Sequence, residues 1–180
     1  MTTFLYSASM SLDGYIAGRD GDMSWLKPYL RPDPLIDELV PQVDVIVSGR
    51  RTYDGDDPNA GDPEHEGAFE GRWKGTQVVL TRRPLSGPPA DVVVAGTLAE
   101  AVDAARTAAG PDGLVNVLGA DVARQCLDEG VLDEVLVFIV PVLLGGGTRL
   151  LEGTRRPYAL DRIREAMTPS AAALWFRVGS

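Results

Sequence analysis

Short runs of consecutive apolar residues alternate along this chain with windows whose apolar positions recur at helical spacing. That alternation predicts an α/β domain with a largely parallel sheet. The stretches "FLYSASM", "VDVIVS", "TQVVLT", "DVVVA", "LVNVLG", "DEVLVFIVPVLL" and "AALWFRV" read as strands, and "VDVIVS" is continuous enough to be buried on both faces. Asp33 and Pro34 suit the N-cap and first position of a helix through "LIDELV", whose stripe is Leu35, Ile36, Leu39 and Val40; Pro41 ends or kinks it. Thr97 and Glu100 form a capping-box pattern ahead of "LAEAVDAARTAA", with Leu98, Ala101, Val102 and Ala105 inward. A further helix, "ADVARQCLDE", turns Val122, Ala123, Cys126 and Leu127 inward. Neither a repeat nor a dividing linker interrupts the pattern, so residues 1–180 are expected to form one domain.

One segment breaks the rhythm. Residues 54–75 are rich in Asp, Glu, Gly and Pro and poor in apolar side chains. Composition favours a solvated surface loop, and a mobile rim over a binding site is the other reading. Charge narrows the partners, because a formal net charge of −9 disfavours nucleic acid and anionic membrane surfaces. Any anionic ligand must then be held by local cations. A single cysteine, Cys126, leaves no internal disulfide and no multi-cysteine metal site, which fits a reducing compartment. No apolar run approaches the ~20 residues of a membrane helix, and the first residues lack a secretory signal pattern, so a cytoplasmic protein is expected.

In open α/β sheets, ligands bind beyond the carboxyl ends of the strands. Three such ends here carry anion-binding equipment. Gly49, Arg50, Arg51 and Thr52 follow one strand and start a short helical turn, where free N–H groups, a hydroxyl and guanidinium groups can meet phosphate. Thr81, Arg82 and Arg83 follow a second strand, and Gly119 with Ala120 follows a third and opens a helix. None is the G-x-G-x-x-G or P-loop pattern, and each alone reads equally as an ordinary turn. Together they fit an extended ligand with two separated phosphate groups, such as a dinucleotide with a 2′-phosphate.

The ordered set "SMSLDGYIAG", "GDMSWL", "VIVSGRRTY", "VVLTRRP", "VNVLGADVARQCLDEGVLDEV" and "VPVLLGGGTRLLEG" resembles the dihydrofolate reductase-like superfamily, specifically the riboflavin-biosynthesis reductase (RibD C-terminal domain-like) family. The resemblance implies a central mixed, mostly parallel sheet flanked by helices, NADPH as cofactor, and a homodimer. By motif, Gly49, Arg50, Arg51 and Thr52 correspond to the turn that receives the pyrophosphate. Thr81 and Arg82 correspond to the recognition of the 2′-phosphate, and Gly119, Ala120 and Asp121 to the turn beside nicotinamide and phosphates. Ala17 and the Met23-Ser24-Trp25 stretch resemble the loop that closes over the nicotinamide. The implied activity is hydride transfer to a small heterocyclic or sugar-imine substrate, as in reduction of 5-amino-6-(5-phosphoribosylamino)uracil. Asp13 is the expected catalytic and polar substrate contact, with Ser11 beside it and Trp25 as an apolar wall; with Gly14, Asp13 reads equally as a turn pair.

The chain also departs from the family. Leu118-Gly119 stands where the family has tandem glycine, at a turn whose peptide is typically cis. "WLKPYL" lacks the carboxylate that dihydrofolate reductases place after the loop tryptophan, which disfavours folate reduction. Ser7 stands where the bifunctional riboflavin enzymes have lysine, and Asp56-Asp57-Pro58 runs on into "NAGDPEH" without their basic grip. Two rivals therefore stand beside the reductase: a nucleotide-binding dimeric scaffold without catalysis, and a reductase of an unrelated imine or carbonyl. His65 reads as a solvated loop residue, Cys126 as packing, "GGGT" at 145–148 as a turn or a ligand cradle, and Arg155-Arg156 as surface charge.

Overall fold

The computed structural model describes residues 1–179. Ten strands form in chain order: β1 (Thr3–Ser11), β2 (Tyr15–Ala17), β3 (Val43–Gly49), β4 (Thr76–Leu80), β5 (Val92–Ala95), β6 (Leu114–Leu118), β7 (Glu134–Val140), β8 (Thr148–Arg149), β9 (Leu160–Met167) and β10 (Ala172–Val178). Helices α1 (Pro34–Leu39), α2 (Arg50–Tyr53), α3 (Leu98–Ala109) and α4 (Ala120–Asp128) lie between them, with a 3₁₀ segment at Ser24–Tyr29. Eight strands make one sheet in the order β5-β4-β3-β6-β1-β7-β10-β9, and β2 pairs with β8 as a small separate ribbon. The first six strands of the large sheet run parallel, whereas β10 joins β7 antiparallel and β9 joins β10 antiparallel. The expected mixed, mostly parallel sheet flanked by helices is what forms.

Local chemistry explains the helices. Asp33 accepts a hydrogen bond from Leu35 N at 2.9 Å and Pro34 occupies the first turn of α1. At α3, Thr97 and Glu100 close a reciprocal capping box, which satisfies donors that a helix start otherwise leaves open. The inward residues read from α4, Val122, Ala123, Cys126 and Leu127, are all buried.

Two apolar layers sandwich the sheet. Under α3 and α4, one joins Phe4, Tyr6, Val45, Val47, Val115 and Val117. On the other face, beneath α1 and the 3₁₀ segment, Leu5, Ile46, Leu136 and Phe138 gather with Leu35 and Leu39. Because side chains alternate along a strand, one residue of offset separates the two sets.

Several elements differ from the sequence pattern. β7 stops at Val140, since Pro141 has no N–H for a ladder, and Leu143 beyond it is 70% exposed. The edge strand β9 escapes hydrophobic patterning because "LDRIREAM" places charge on both faces of an exposed edge, a common guard against edge-to-edge pairing. The acidic segment is a solvated loop only over its tip. Ala68, Phe69 and Trp73 pack onto the second layer, and Trp73 Nε1 donates to Val43 O at 2.8 Å. Asp57 accepts from the N–H groups of Asn59 and Gly67 at 2.7 Å each, which shapes the loop from inside.

Candidate active site

The parallel strands β4, β3, β6 and β1 carry their carboxyl ends to one edge of the sheet, and the three arginine and glycine clusters meet there. Gly119, the residue between β6 and α4, adopts φ +93°, and a Cβ on it would lie 2.3 Å from Thr52 Oγ1. At Gly49 a Cβ would lie 3.2 Å from Val122 Cγ2, in the first turn of α4. The end of β3, the short helix α2 and the start of α4 therefore touch, and their contact tolerates nothing larger than glycine at Gly119. Arg50 Nη1 donates to Pro84 O at 3.1 Å, which ties the segment after β4 to the end of β3. The Leu118–Gly119 peptide is trans, as are all peptides among the described residues.

Beside this junction a cleft of about 770 Å³ opens between α3 and α4. Arg82, Leu98, Arg106, Asp121, Arg124 and Gln125 are among its lining residues. Most of its charges are already engaged. Arg124 bridges Asp121 at 3.1 Å and Asp128 at 3.0 Å, Arg155 pairs with Glu129 at 2.8 Å, and the Arg106 guanidinium lies over the Phe4 ring. Among the described residues, Arg82 is the lining guanidinium with neither an ion pair nor an aromatic partner.

The expected site residues divide accordingly. Gly49, Thr52, Gly119 and Ala120 come together, and Arg82 and Asp121 line the adjoining cleft. Arg50 forms an ion pair with Asp54 and braces Pro84, so its charge is partly neutralised at home. Arg51 is exposed on α2. Thr81 Oγ1 accepts from Arg83 N at 3.1 Å and donates to Arg83 O at 3.2 Å, so its hydroxyl shapes the turn that presents Arg82. The Asp121 carboxylate is held by Arg124 and Gln125 of its own helix. A carboxylate repels phosphate, so any phosphate contact from Asp121 would come through its main-chain N–H at the start of α4.

Asp13 and Ser11, the expected substrate-facing pair, are engaged within the protein. Ser11 is fully buried; its Oγ donates to Asp13 at 2.7 Å and accepts from Tyr15 N at 3.0 Å. The Asp13 carboxylate also accepts from Leu144 N at 3.0 Å and Gly145 N at 2.7 Å. The Ser11 hydroxyl, followed by the Leu144 and Gly145 N–H groups, pulls its carboxyl down to about 2. An acid held ionised in this way is a poor proton donor at neutral pH; it clamps the turn after β1 to the "LLGGGT" loop. That clamp makes a pH prediction. With the folded value depressed below an ordinary aspartate, its contribution is full above about pH 4 and is lost as pH falls towards 2. Thermal melts of Asp13→Asn and the parent should accordingly differ most near neutrality and converge in acid; a constant difference across that range would assign the effect elsewhere.

The loop residues flank the same edge. Ala17 ends β2, where Gly147 of the β8 approach packs so closely that a Cβ would lie 2.0 Å from Ala17 O. The "GGGT" stretch is thus a tight docking turn against β2. Met23 N donates to Asp56 at 3.1 Å, and Trp25 packs on the second layer together with Leu118. His65 sits in the exposed loop against Asp62, and burial pushes the Cys126 thiol up to about 12, so neither belongs to the site. Asn116 was legible in "LVNVLG" only as a strand residue, although a carboxamide inside an apolar run is itself a signal.

The chain has a dihydrofolate reductase-like fold. The sequence profile of the RibD C-terminal domain matches residues 3–165, and the chain belongs to that family. YwjB, an uncharacterized protein of Bacillus subtilis, is 29% identical over 153 residues, 82% of this chain and 81% of that protein. Among solved structures, a putative riboflavin biosynthesis protein from Shewanella sp. PV-4 superposes with a TM-score of 0.76 at 23% identity, covering 99% of both chains. A Thermotoga maritima deaminase and 5-amino-6-(5-phosphoribosylamino)uracil reductase gives 0.68 at 17% identity, over 99% of this chain and 57% of that one. Dihydrofolate reductase from Enterococcus faecalis, complexed with NADP(H), gives 0.66 at 15% identity over 99% and 97% of the two chains. Among the described residues, no helix is long and apolar enough to cross a membrane.

Proposed function

We propose that this chain is an NADPH-dependent reductase acting on a polarised C=N or C=O carbon of a small heterocyclic or sugar-imine substrate. The observation that carries the reading is the junction of Gly49, Thr52 and Gly119 beside a cleft holding an uncommitted Arg82. The residues fit a dinucleotide phosphate. Gly119 keeps the backbone bare where a Cβ would strike Thr52, the N–H groups opening α4 favour negative charge, and Arg82 offers a 2′-phosphate its fork of donors. When bound, the reduced nicotinamide supplies the hydride. The chain orients the reacting partners and excludes water, with Trp25 and the clamped loops around Asp13 as walls.

We place a homodimer contact on the sheet extension. There the edge strand β9 leaves Leu160, Ile163 and Met167 exposed at 45%, 42% and 85%. Sedimentation should give twice the monomer mass; a monomer at micromolar concentration would remove the contact.

Turnover separates enzyme from scaffold. NADPH consumption should appear with at least one member of a panel holding the phosphoribosylaminouracil intermediate, dihydrofolate and simple cyclic imines. A ligand at a hundredfold its dissociation constant adds about 2.7 kcal/mol of stability. NADPH should therefore raise the melting temperature more than NADH does. Binding without turnover across the panel would leave the nucleotide-binding scaffold; equal shifts with both nucleotides, or none, would defeat the phosphate assignment.

A further inference from the structure

Residues 18–25 stand out from the core. Arg19, Asp20, Gly21, Asp22 and Ser24 are exposed, and a buried side chain returns at Leu26. The segment closes on itself. Gly18 N donates to Asp22 O at 2.8 Å, Asp22 N to Arg19 O at 3.2 Å, and Ser24 N to the Asp22 carboxylate at 2.9 Å. A loop with so few buried contacts opens at low free energy unless something outside holds it. Two outside contacts do. At its start the Arg19 guanidinium packs on Gly146, and Gly147 lies against Ala17 and Gly18. Farther on, Met23 N donates to Asp56 at 3.1 Å, which among the described residues is the hydrogen bond that ties the segment to residues 54–75.

Asp56 belongs to a well-anchored frame. Next to it, Asp57 accepts from Asn59 N and Gly67 N at 2.7 Å each. Arg72 Nη1 meets Asp37 of α1 at 2.5 Å, and Trp73 Nε1 reaches Val43 O at 2.8 Å. Towards the other end, Asp56 follows Tyr53, the last residue of α2, by three positions, so no more than about 11 Å of chain separates them. That short stretch touches both the proposed phosphate cradle, through Thr52, and segment 18–25, through Met23. The neighbouring carboxylates have other work, since Asp54 pairs with Arg50 and Asp57 faces its own loop.

We infer that Asp56 is a positioning residue whose carboxylate latches segment 18–25 to the frame that carries α2, and that this latch sets how long a bound dinucleotide stays. This rests on the reductase reading, in which Ala17 and the Met23-Ser24-Trp25 stretch flank the nicotinamide. Phosphates held beside α2 keep Asp56 in place, and Asp56 keeps the segment over the other end of the same ligand. Loss of the latch therefore changes departure more than arrival, because the ligand enters while the segment is open.

Hydrogen exchange in the free protein reads the latch without any ligand. The amides of Gly18, Asp22 and Leu26 bond within residues 18–26, not to Asp56, so they exchange faster only if the segment opens. Asp56→Ala should speed their exchange by about three- to tenfold, the range that one hydrogen bond contributes. Asp56→Asn keeps an oxygen that accepts from Met23 N and should restore most of the protection. Stopped-flow release of NADPH should quicken by a similar factor in Asp56→Ala, with the association rate within about twofold of the parent. The melting temperature of the free protein should hold, since the side chain is exposed. The inference is overturned if these amides exchange alike in the parent and Asp56→Ala, if NADPH leaves both at the same rate, or if the melting temperature falls and asparagine does not rescue it. Exchange that rises in Asp56→Ala and recovers in Asp56→Asn, with no binding of NADPH to any of the three proteins, would leave the latch standing and sink the reductase reading alone.

Discussion

Gly119→Ala should lower both the stability of the chain and its affinity for NADPH. The residue sits at φ +93°, outside the region a side chain favours, and its Cβ would overlap Thr52 Oγ1 at 2.3 Å. Backbone strain of this kind costs about 1–3 kcal/mol by itself. Relief of the overlap requires α2 to move away from the start of α4, and those two segments are the proposed phosphate cradle. A displacement of this sort should weaken NADPH binding by more than about tenfold, because phosphate recognition through main-chain N–H groups depends on their aim. The double variant Gly119→Ala with Thr52→Ala separates the two effects. Removing the threonine side chain relieves the overlap but leaves φ unchanged, so part of the affinity should return while the stability loss largely remains. Calorimetric titration and melting curves measure both; unchanged NADPH affinity in Gly119→Ala would place the phosphates elsewhere.

Arg82→Ala should erase the preference for NADPH over NADH. The other arginines of the cleft are committed to Asp121, Asp128, Glu129 or the Phe4 ring, so none can take over without breaking a contact it already makes. Charge-assisted hydrogen bonds contribute about 1.5–3 kcal/mol, which corresponds to roughly 10- to 100-fold in affinity. That loss should fall on NADPH and spare NADH, which lacks the 2′-phosphate. The exposed Asp121 carboxylate lines the same cleft and sharpens the test. Arg124 already pairs with it, so without Arg82 its repulsion of the phosphate is offset only in part. A variant that weakened both nucleotides equally would assign Arg82 to general steering, and one that weakened neither would remove it from the site.

The sequence made the interior legible and the margins much less so. Where an element is buried on one side, its period is written in apolar residues: the inward set of α4 and the alternation of β3 and β6 follow directly from side-chain geometry. Caps are equally readable, because Thr97 with Glu100 and Asp33 with Pro34 act within a single turn. Strand β9 was not, since an exposed edge is selected for charge and carries no apolar period. The strand-end clusters were visible as residue types, but their convergence depends on sheet order, which places β6 between β3 and β1 although it follows both in the chain. Ser11 and Asp13 were legible only in part. Their chemistry offered a substrate contact or a turn pair, and the N–H groups of Leu144 and Gly145 that hold the Asp13 carboxylate lie too far along the chain to be read beside it. The aromatic members of the acidic segment, Phe69 and Trp73, were outweighed by its many carboxylates and glycines.

A dinucleotide lying across the carboxyl edge of the sheet is the central proposal, and a crystal structure of the chain grown with NADPH tests it most directly. Pyrophosphate density is expected against the Gly119–Ala120 backbone beside Thr52, and the 2′-phosphate on the Arg82 guanidinium. Nucleotide density on another surface, or a 2′-phosphate turned away from Arg82, would contradict it.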